Sequence, residues 1–297
     1  MYHIIVNKKS RSGRGEKLWP VIEGELERRR TEFRVYPTKY HGSARETAAR
    51  LTAKGVWNPD DVLLAIGGDG TANEAVDGIT SLSDVKFGYI PTGSGNDFLH
   101  DLGKNKGDAP FCINEYVRDL PSVTVNGKDY LFLNGIGYGI DGYCCEVGDQ
   151  HRLKSDKPVN YTSIAIKGLL FHYRRTTATV TVDGNEFKYR GVWLAPTMNG
   201  RFYGGGMMTA PSQDRLNPEH TLSAVVMYGS NKLKTLMVFP SIFKGEHVKH
   251  TEMVEVHTGR DITVKFNRPT ALQIDGETIL GVTEYTAHAF QPAYAEK

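Results

Sequence analysis

A run of three glycines around one carboxylate, Gly67-Gly68-Asp69-Gly70-Thr71, has the clearest chemical character in this sequence. The apolar residues 62–66 precede it and predict a buried strand, and apolar residues at helical spacing follow it. A strand, a glycine turn and a helix together point backbone N–H groups at an anion such as a phosphate. A carboxylate repels a phosphate unless a cation lies between them, so Asp69 predicts Mg²⁺ held through water. The alternative is a tight turn that Asp69 caps.

A second carboxylate follows the next predicted strand. Residues 86–90 predict this strand, and Pro91-Thr92-Gly93-Ser94-Gly95-Asn96-Asp97-Phe98 comes directly after it. Neighbouring parallel strands end at the same edge of a sheet, so we expect Asp69 and Asp97 to lie close together and to share Mg²⁺. The alternative is that Asp97 only caps the next helix.

The loop after the first predicted strand is rich in glycine, serine and cations. The strand covers 2–6, the loop covers 7–15, and a helix is expected over about 16–30. This loop predicts a second phosphate cradle, with Lys9, Ser10 or Arg11 near a nucleotide. The alternative is a solvated basic turn.

The first 119 residues alternate predicted strands, at 2–6, 33–36, 62–66 and 86–90, with helices. This alternation predicts an α/β domain with a parallel, doubly wound sheet. Ligands of such sheets bind beyond the carboxyl ends of the strands, where each of the glycine-rich loops lies.

From residue 120 to about 283 the pattern changes to short alternating segments. Asn126-Gly127 and Asp183-Gly184 lie between such segments and predict hairpins. Further strands are expected at 191–197, 222–228, 253–257 and 261–266. The pattern predicts an all-β domain, an antiparallel β-sandwich or open barrel. It contains one helical stretch, about 160–174, whose apolar stripe faces either the core or a lipid cavity.

The composition excludes some classes of function. A net charge of +2 over 297 residues is too small to indicate a nucleic-acid partner. The three cysteines, Cys112, Cys144 and Cys145, have no metal-binding spacing, which favours a reducing cytoplasm. No apolar run is long enough for a spanning helix, and the chain enters a strand at once, so we expect no signal peptide.

Five ordered motifs resemble the diacylglycerol kinase catalytic family, which includes soluble bacterial lipid kinases and sphingosine kinases. The first two are the blocks around Asp69 and Asp97. The others are Asn134-Gly135-Ile136-Gly137-Tyr138-Gly139-Ile140-Asp141, Gly204-Gly205-Gly206-Met207 with Ala210-Pro211, and Ile274-Asp275-Gly276-Glu277. The resemblance covers nearly the whole chain and does not specify the substrate.

The resemblance implies that ATP lies between a Rossmann-like first domain and the β-sandwich domain. It also implies that the last residues, about 284–297, can return to the first domain. The triphosphate would lie on Gly67, Gly68, Asp69, Gly70, Thr71, Ala72 and Asn73. Further contacts would come from Asn7, Lys9, Ser10, Thr38 and Ser94. Asp69 and Asp97 would hold Mg²⁺ through water, and Asp275 or Glu277 would take the proton from a lipid hydroxyl.

The sequence departs from the family pattern at two places. Lys8 replaces a proline in the first loop, and the loop is longer than the family pattern. After Ala210-Pro211, the family often holds a structural Mg²⁺ with an Asp-Asp-Gly segment. Here Asp214, Asn217 and Glu219 are the oxygen ligands available for such an ion.

We therefore predict a cytoplasmic, ATP-dependent lipid kinase that binds peripherally to membranes and acts on diacylglycerol or a related lipid. An NAD kinase shares the Gly-Gly-Asp-Gly turn but not the block that ends in Asp97. A non-catalytic lipid- or nucleotide-binding protein would be expected to lack Asp69, Asp97 or the Asp275–Glu277 turn, and all are present. The sequence does not specify which lipid is phosphorylated or which of Asp275 and Glu277 is the base. It also leaves open the oligomeric state, for which a homodimer is one candidate.

Overall fold

The computed structural model describes residues 1–8, 10–93, 97–104, 111–154 and 159–290. These residues form two compact units, Met1–Leu120 and Pro121–Phe290. None of the helices within these ranges combines the length and the apolarity needed to cross a bilayer.

The first unit has the predicted parallel sheet. Its strands are β1 (Tyr2–Val6), β2 (Phe33–Pro37), β3 (Val62–Gly67), β4 (Lys86–Pro91) and β5 (Phe111–Cys112), in the order β2-β1-β3-β4-β5. Its helices are α1 (Ser10–Arg28), α2 (Ser43–Leu51), α3 (Asp69–Gly78), α4 (Asp97–Asp101) and α5 (Asn114–Val117). Strands β1 to β4 pair in parallel and β5 is antiparallel to β4. Strands β1 and β3 are buried along almost their whole length, as expected for a sheet covered on both faces.

Helix α1 begins earlier than predicted. It starts at Ser10, whereas the sequence predicted a loop up to residue 15. Glycine has low helix propensity, and Gly13 and Gly15 therefore shifted the predicted boundary. Packing explains Gly15: a Cβ there would lie 2.3 Å from the carbonyl oxygen of Asn7. Glycine lets the first turns of α1 lie directly against the end of β1.

The second unit is antiparallel and rich in strands. They are β6 (Ser122–Val125), β7 (Lys128–Leu131), β8 (Gly135–Tyr138), β9 (Thr176–Val182), β10 (Asn185–Val192), β11 (Thr197–Met198), β12 (Phe202–Tyr203), β13 (Met207–Met208), β14 (Leu222–Met227), β15 (Val254–Gly259), β16 (Asp261–Ile274) and β17 (Glu277–His288). The main sheet has the order β15-β14-β11-β8-β16-β17-β6-β7, and β9 joins it to β10.

Both predicted hairpins of the second unit are confirmed. Strand β6 pairs with β7, and β9 with β10. Positive φ angles at Asn126 (50°) and Asp183 (49°), each followed by glycine, are those of tight hairpin turns. Strand β17 pairs with β6, with His288 opposite Ser122. Residues 284–288 therefore belong to the second unit, and 291–297 lie outside the described residues.

The helical stretch predicted at about 160–174 is confirmed, but further helices of this unit were missed. The unit contains α6 (Ile140–Lys154), α7 (Tyr161–Lys167) with a π-helical turn at Gly168–His172, and α8 (Lys232–Val238). Two 3₁₀ segments, Phe239–Lys244 and Glu246–Lys249, follow α8. The apolar stripe of 160–174 is divided between core and surface, since Leu169 is buried and Phe171 is 74% exposed.

Candidate functional site

The turn between β3 and α3 requires glycine at one position and leaves space at another. The Gly68 carbonyl accepts the backbone N–H groups of Thr71 (2.9 Å) and Ala72 (3.2 Å). A Cβ on Gly67 would lie 2.4 Å from Oγ1 of Thr71, so any larger residue at this position would clash with the Thr71 side chain. At Gly70, apart from its chain neighbours and the backbone of its own helix, no atom of the described residues lies within 4 Å of a Cβ position. The start of α3 therefore forms an open cradle, which fits an approaching phosphate.

The Asp69 carboxylate is fixed by two donors from neighbouring elements. The Tyr89 hydroxyl on β4 donates to Oδ1 (3.0 Å), and the Phe98 backbone N–H on α4 donates to Oδ2 (3.2 Å). Burial, and then the Asp69 charge, raise the pKa of Tyr89 far above its usual value, so this hydroxyl remains a donor. Asp69 is thus anchored at the edge of the cradle.

Asp97 begins α4, next to the residue that binds Asp69. Its side chain is buried, and the backbone N–H of the following residue, Phe98, is the one that reaches Asp69. The fold therefore brings the start of α4 to Asp69, as expected for neighbouring strand ends. Carboxylate oxygens are ligands that Mg²⁺ prefers, so the residues present fit this ion.

Short polar side chains join the carboxyl ends of β1, β3 and β4. The Asn7 amide donates to Oγ1 of Thr71 at 3.2 Å, and the hydroxyls of Ser10 and Thr92 lie 2.7 Å apart. The Thr92 side chain is almost completely buried. Thr92 was not among the predicted site residues, although its position directly after β4 is a local signal for it. These bonds hold the loops around the cradle together.

Thr38, Asn73, Lys9 and Ser94 were also predicted to contact the nucleotide. The Thr38 backbone N–H donates to the Val6 carbonyl at 2.9 Å, which places Thr38 just beyond the end of β2. Lys9 and Ser94 lie outside the described residues. Asn73 lies on α3, and the next residue, Glu74, accepts the backbone N–H of Ala44 at the start of α2.

The two carboxylates of the Asp275–Glu277 turn have different surroundings in the second unit. Asp275 has a φ of 47°, a left-handed conformation that aspartate tolerates. Its carboxylate accepts the backbone N–H groups of Leu133, Asn134 (2.8 Å) and Gly135 (3.2 Å). Glu277 is the first residue of β17 and is exposed. Asp275 thus fixes the turn to the segment 133–135, and Glu277 presents its carboxylate at the surface.

Family models match both units. The diacylglycerol kinase catalytic domain matches residues 1–123, and the YegS C-terminal NAD kinase beta sandwich-like domain matches residues 134–292. The chain belongs to the family of bacterial diacylglycerol kinase-like lipid kinases. This membership makes it a phosphotransferase, and it agrees with the predicted α/β and antiparallel β-sandwich domains.

Individual relatives match this chain over most of its length. The protein YtlR of Bacillus subtilis is 26% identical over 303 residues, which cover 96% of this chain and 95% of that protein. A diacylglycerol kinase of Mycobacterium tuberculosis is 29% identical over 235 residues, 77% of this chain and 74% of that enzyme. A crystal structure from Bacillus anthracis has the same fold, with a TM-score of 0.64 at 18% identity, over 98% of this chain and 97% of that one.

Arg215, which was not among the predicted site residues, contacts the same segment as Asp275. The Arg215 guanidinium donates to the Leu133 carbonyl (3.0 Å) and to Oδ1 of Asn134 (3.2 Å). In this kinase, Asp275 therefore binds the segment through its N–H groups, and Arg215 binds it through oxygen atoms. The segment is held from two sides.

The loop that was predicted to hold a structural cation is closed by an amide. Oδ1 of Asn217 accepts the N–H (2.8 Å) and the hydroxyl (3.1 Å) of Thr221, and its Nδ2 donates to the Asp214 carbonyl (2.6 Å). Asp214 accepts the Leu216 N–H, and the Glu219 carbonyl accepts Nε of Arg260. The Asn217 oxygen is thus already occupied, which gives no support to an ion at Asp214, Asn217 and Glu219.

The Asp141 carboxyl is buried at the start of α6. It accepts the Tyr203 hydroxyl at 2.9 Å, and a Cβ on Gly137 would lie 2.1 Å from its Oδ2. Burial raises the pKa of Asp141 to about 6, against the opposing effect of the Tyr203 hydrogen bond. The motif that ends at Asp141 therefore places a carboxyl of raised pKa in the core of the second unit.

Proposed function

We propose that this kinase transfers the γ-phosphoryl group of ATP to a lipid hydroxyl, with diacylglycerol as the first candidate. The observation that carries the proposal is the open cradle at Gly70 beside the anchored Asp69. Phosphoryl transfer depends mainly on positioning and on charge neutralisation, which such a cradle supports.

On the nucleotide side, backbone N–H groups at the start of α3 would bind the triphosphate. The proposed side-chain contacts come from Asn7, Lys9, Ser10, Thr38, Thr71, Asn73 and Ser94. Asp69 and Asp97 would hold Mg²⁺ through water, and the bound ion neutralises charge on the phosphate oxygens. The hydrogen bonds of Asp69 to Tyr89 and Phe98 keep its carboxylate at the edge of the cradle.

On the acceptor side, we propose Glu277 as the general base. The lipid oxygen bonds to the γ-phosphorus, the bond from that phosphorus to the ADP oxygen breaks, and the hydroxyl proton passes to Glu277. Asp275 would act as a positioning residue, because its carboxylate is used to bind the backbone of 133–135. The exposure of Glu277 gives the reacting hydroxyl access to it.

We also propose that the enzyme works in the cytoplasm at a membrane surface, because its substrate would reside in a bilayer. Cys112, Cys144 and Cys145 are free thiols, which fits a reducing compartment.

A transfer assay tests the proposed reaction. Purified protein, Mg²⁺ and γ-labelled ATP are offered detergent-dispersed diacylglycerol, monoacylglycerol, sphingosine or ceramide, with NAD as a separate acceptor. We expect label on a lipid, first of all on diacylglycerol. Label on NAD would overturn the proposal, and ATP binding without transfer to any acceptor would favour a binding protein.

A further inference from the structure

The second unit has a basic pocket near the end of the π-helical turn. The shallow cavity has a volume of about 650 Å³. Its walls include four cations and two aromatic rings, from Arg174, Arg175, Arg190, Lys232, Tyr173 and Trp193. No carboxylate of the described residues lines it. The pocket therefore has the charge of an anion-binding site.

Two of these cations are held in place by neutral groups. Arg175 donates to the Ser230 carbonyl (2.8 Å) and lies 5.5 Å from the ring centroid of the buried Trp193. Lys232 donates to the Leu170 carbonyl (2.6 Å). Across the ranges that the structure describes, neither they nor Arg174 and Arg190 form an ion pair with a carboxylate. Their mutual repulsion would be relieved by an anion from outside the protein.

Large apolar side chains project from the same region. Phe171 is 74% exposed on the π-helical turn, and Leu233 and Met237 are 68% and 67% exposed, one turn apart on α8. The Lys232–Leu170 hydrogen bond joins these two elements next to Leu233 and Phe171. A single exposed apolar residue is ordinary, but three on joined elements beside a cation cluster are typical of a surface that lies in a membrane interface.

We propose that this surface docks the kinase on membranes that contain anionic phospholipids. Phe171, Leu233 and Met237 would enter the interfacial region, and the pocket cations would bind headgroup phosphates. The inference rests on the proposed function and assigns its membrane contact to this surface. Vesicle binding requires no catalysis, so it can be tested in the absence of ATP.

The test is sedimentation of the full chain with vesicles of phosphatidylcholine alone or mixed with phosphatidylglycerol. We expect binding to the mixed vesicles that weakens as salt rises. Arg174→Gln with Arg190→Gln should weaken it about fivefold for each cation. Phe171→Ser with Leu233→Ser should weaken it by about tenfold or more. Lys128→Gln and Leu153→Ser, also exposed in this unit, are the matched controls.

Thermal melting of each variant checks that it is folded. Wild-type protein that binds neither vesicle would overturn the docking surface, and so would folded variants of the surface that bind the mixed vesicles as tightly as wild type. Vesicle binding by a chain that transfers phosphate to no lipid would support the surface while overturning the proposed reaction. The two proposals can therefore fail separately.

Discussion

The Asp275 carboxylate accepts the backbone N–H of Asn134 at 2.8 Å, although 141 residues separate the two along the chain. Together with the bonds to Leu133 and Gly135, it ties the turn before β17 to the strand entry of β8. Glu277, two residues later, is exposed. The two acidic residues of one short turn therefore have separable effects.

Glu277→Gln and Asp275→Asn should separate chemistry from stability. Glu277→Gln should lower kcat by about 10²–10⁴, the usual contribution of a general base, and leave unfolding unchanged. Asp275→Asn replaces one acceptor by a donor facing backbone N–H groups, so the free energy of unfolding should fall by about 1–3 kcal/mol. Steady-state kinetics and urea denaturation measure the two effects. Glu284→Gln, exposed on the same strand, is the control. A near-native kcat in Glu277→Gln would exclude Glu277 as the base.

Gly70→Ala should weaken ATP binding without weakening the fold. The added methyl group meets no described atom within 4 Å, and alanine is the better helix former, so thermal stability should be equal or higher. The methyl group would, however, occupy the cradle, and ATP affinity should fall by about tenfold or more, roughly 1.4 kcal/mol. Gly24→Ala on α1 has the same open surroundings and serves as the control. Unchanged ATP affinity in a titration of Gly70→Ala would place the triphosphate elsewhere.

Arg215→Lys should lower kcat and leave the KM for ATP unchanged. A lysine nitrogen cannot reproduce the two guanidinium hydrogen bonds, to the Leu133 carbonyl and to the Asn134 side chain. The segment 133–135, which Asp275 also binds, would therefore shift. We expect a loss of kcat of about tenfold, given how strongly rates depend on small displacements. Arg260→Lys, which also removes a guanidinium from this loop, is the control. A loss of stability with normal kcat would limit Arg215 to a structural role.

Asp141→Asn should stabilise the protein at neutral pH but not in acid. The pKa is raised from 3.8 in the unfolded chain to about 6 in the folded one, so the unfolded state loses the proton first as pH rises. Stability therefore falls between about pH 4 and pH 6, by an amount of the order of 2–3 kcal/mol. Asparagine removes this cost and still accepts the Tyr203 hydroxyl.

Denaturation at pH 4 and at pH 7.5 checks this prediction. The Asp141→Asn variant should gain stability over wild type at the higher pH, and the gain should disappear near pH 4. Asp60→Asn, on an exposed residue, should show no such change. Equal stability of Asp141→Asn and wild type at pH 7.5 would show that the buried carboxyl is stabilised by other contacts.

Local sequence patterns were enough for much of the fold. The apolar runs of β1, β3 and β4 predicted a parallel sheet, and the Asn126 and Asp183 turns predicted their hairpins. Helix α6 was missed, because it contains Gly142 and Gly148, which are poor helix formers. The reason for Gly142 is tertiary: a Cβ there would lie 1.9 Å from the carbonyl oxygen of Ala271 on β16. A local pattern contains no information on such a contact.

In the candidate site, too, local motifs could be predicted and contacts between distant residues could not. The glycine turn around Asp69 is a local motif and could be read from consecutive residues. Arg215 contacts Leu133 across 82 residues, and no local pattern pairs the two positions. The sequence likewise left Asp275 and Glu277 as equal candidates for the base. Their different surroundings depend on a backbone segment that lies far away in the chain.

The pairing of β6 with β17 has a consequence for how the second unit can be engineered. Ser122 and His288 face each other in this pair, so the chain enters and leaves the unit at adjacent points. Units whose ends lie close together tolerate circular permutation and insertion into other chains. The strand-rich half of the kinase therefore has the topology of a transplantable module, whose ends a short linker could join.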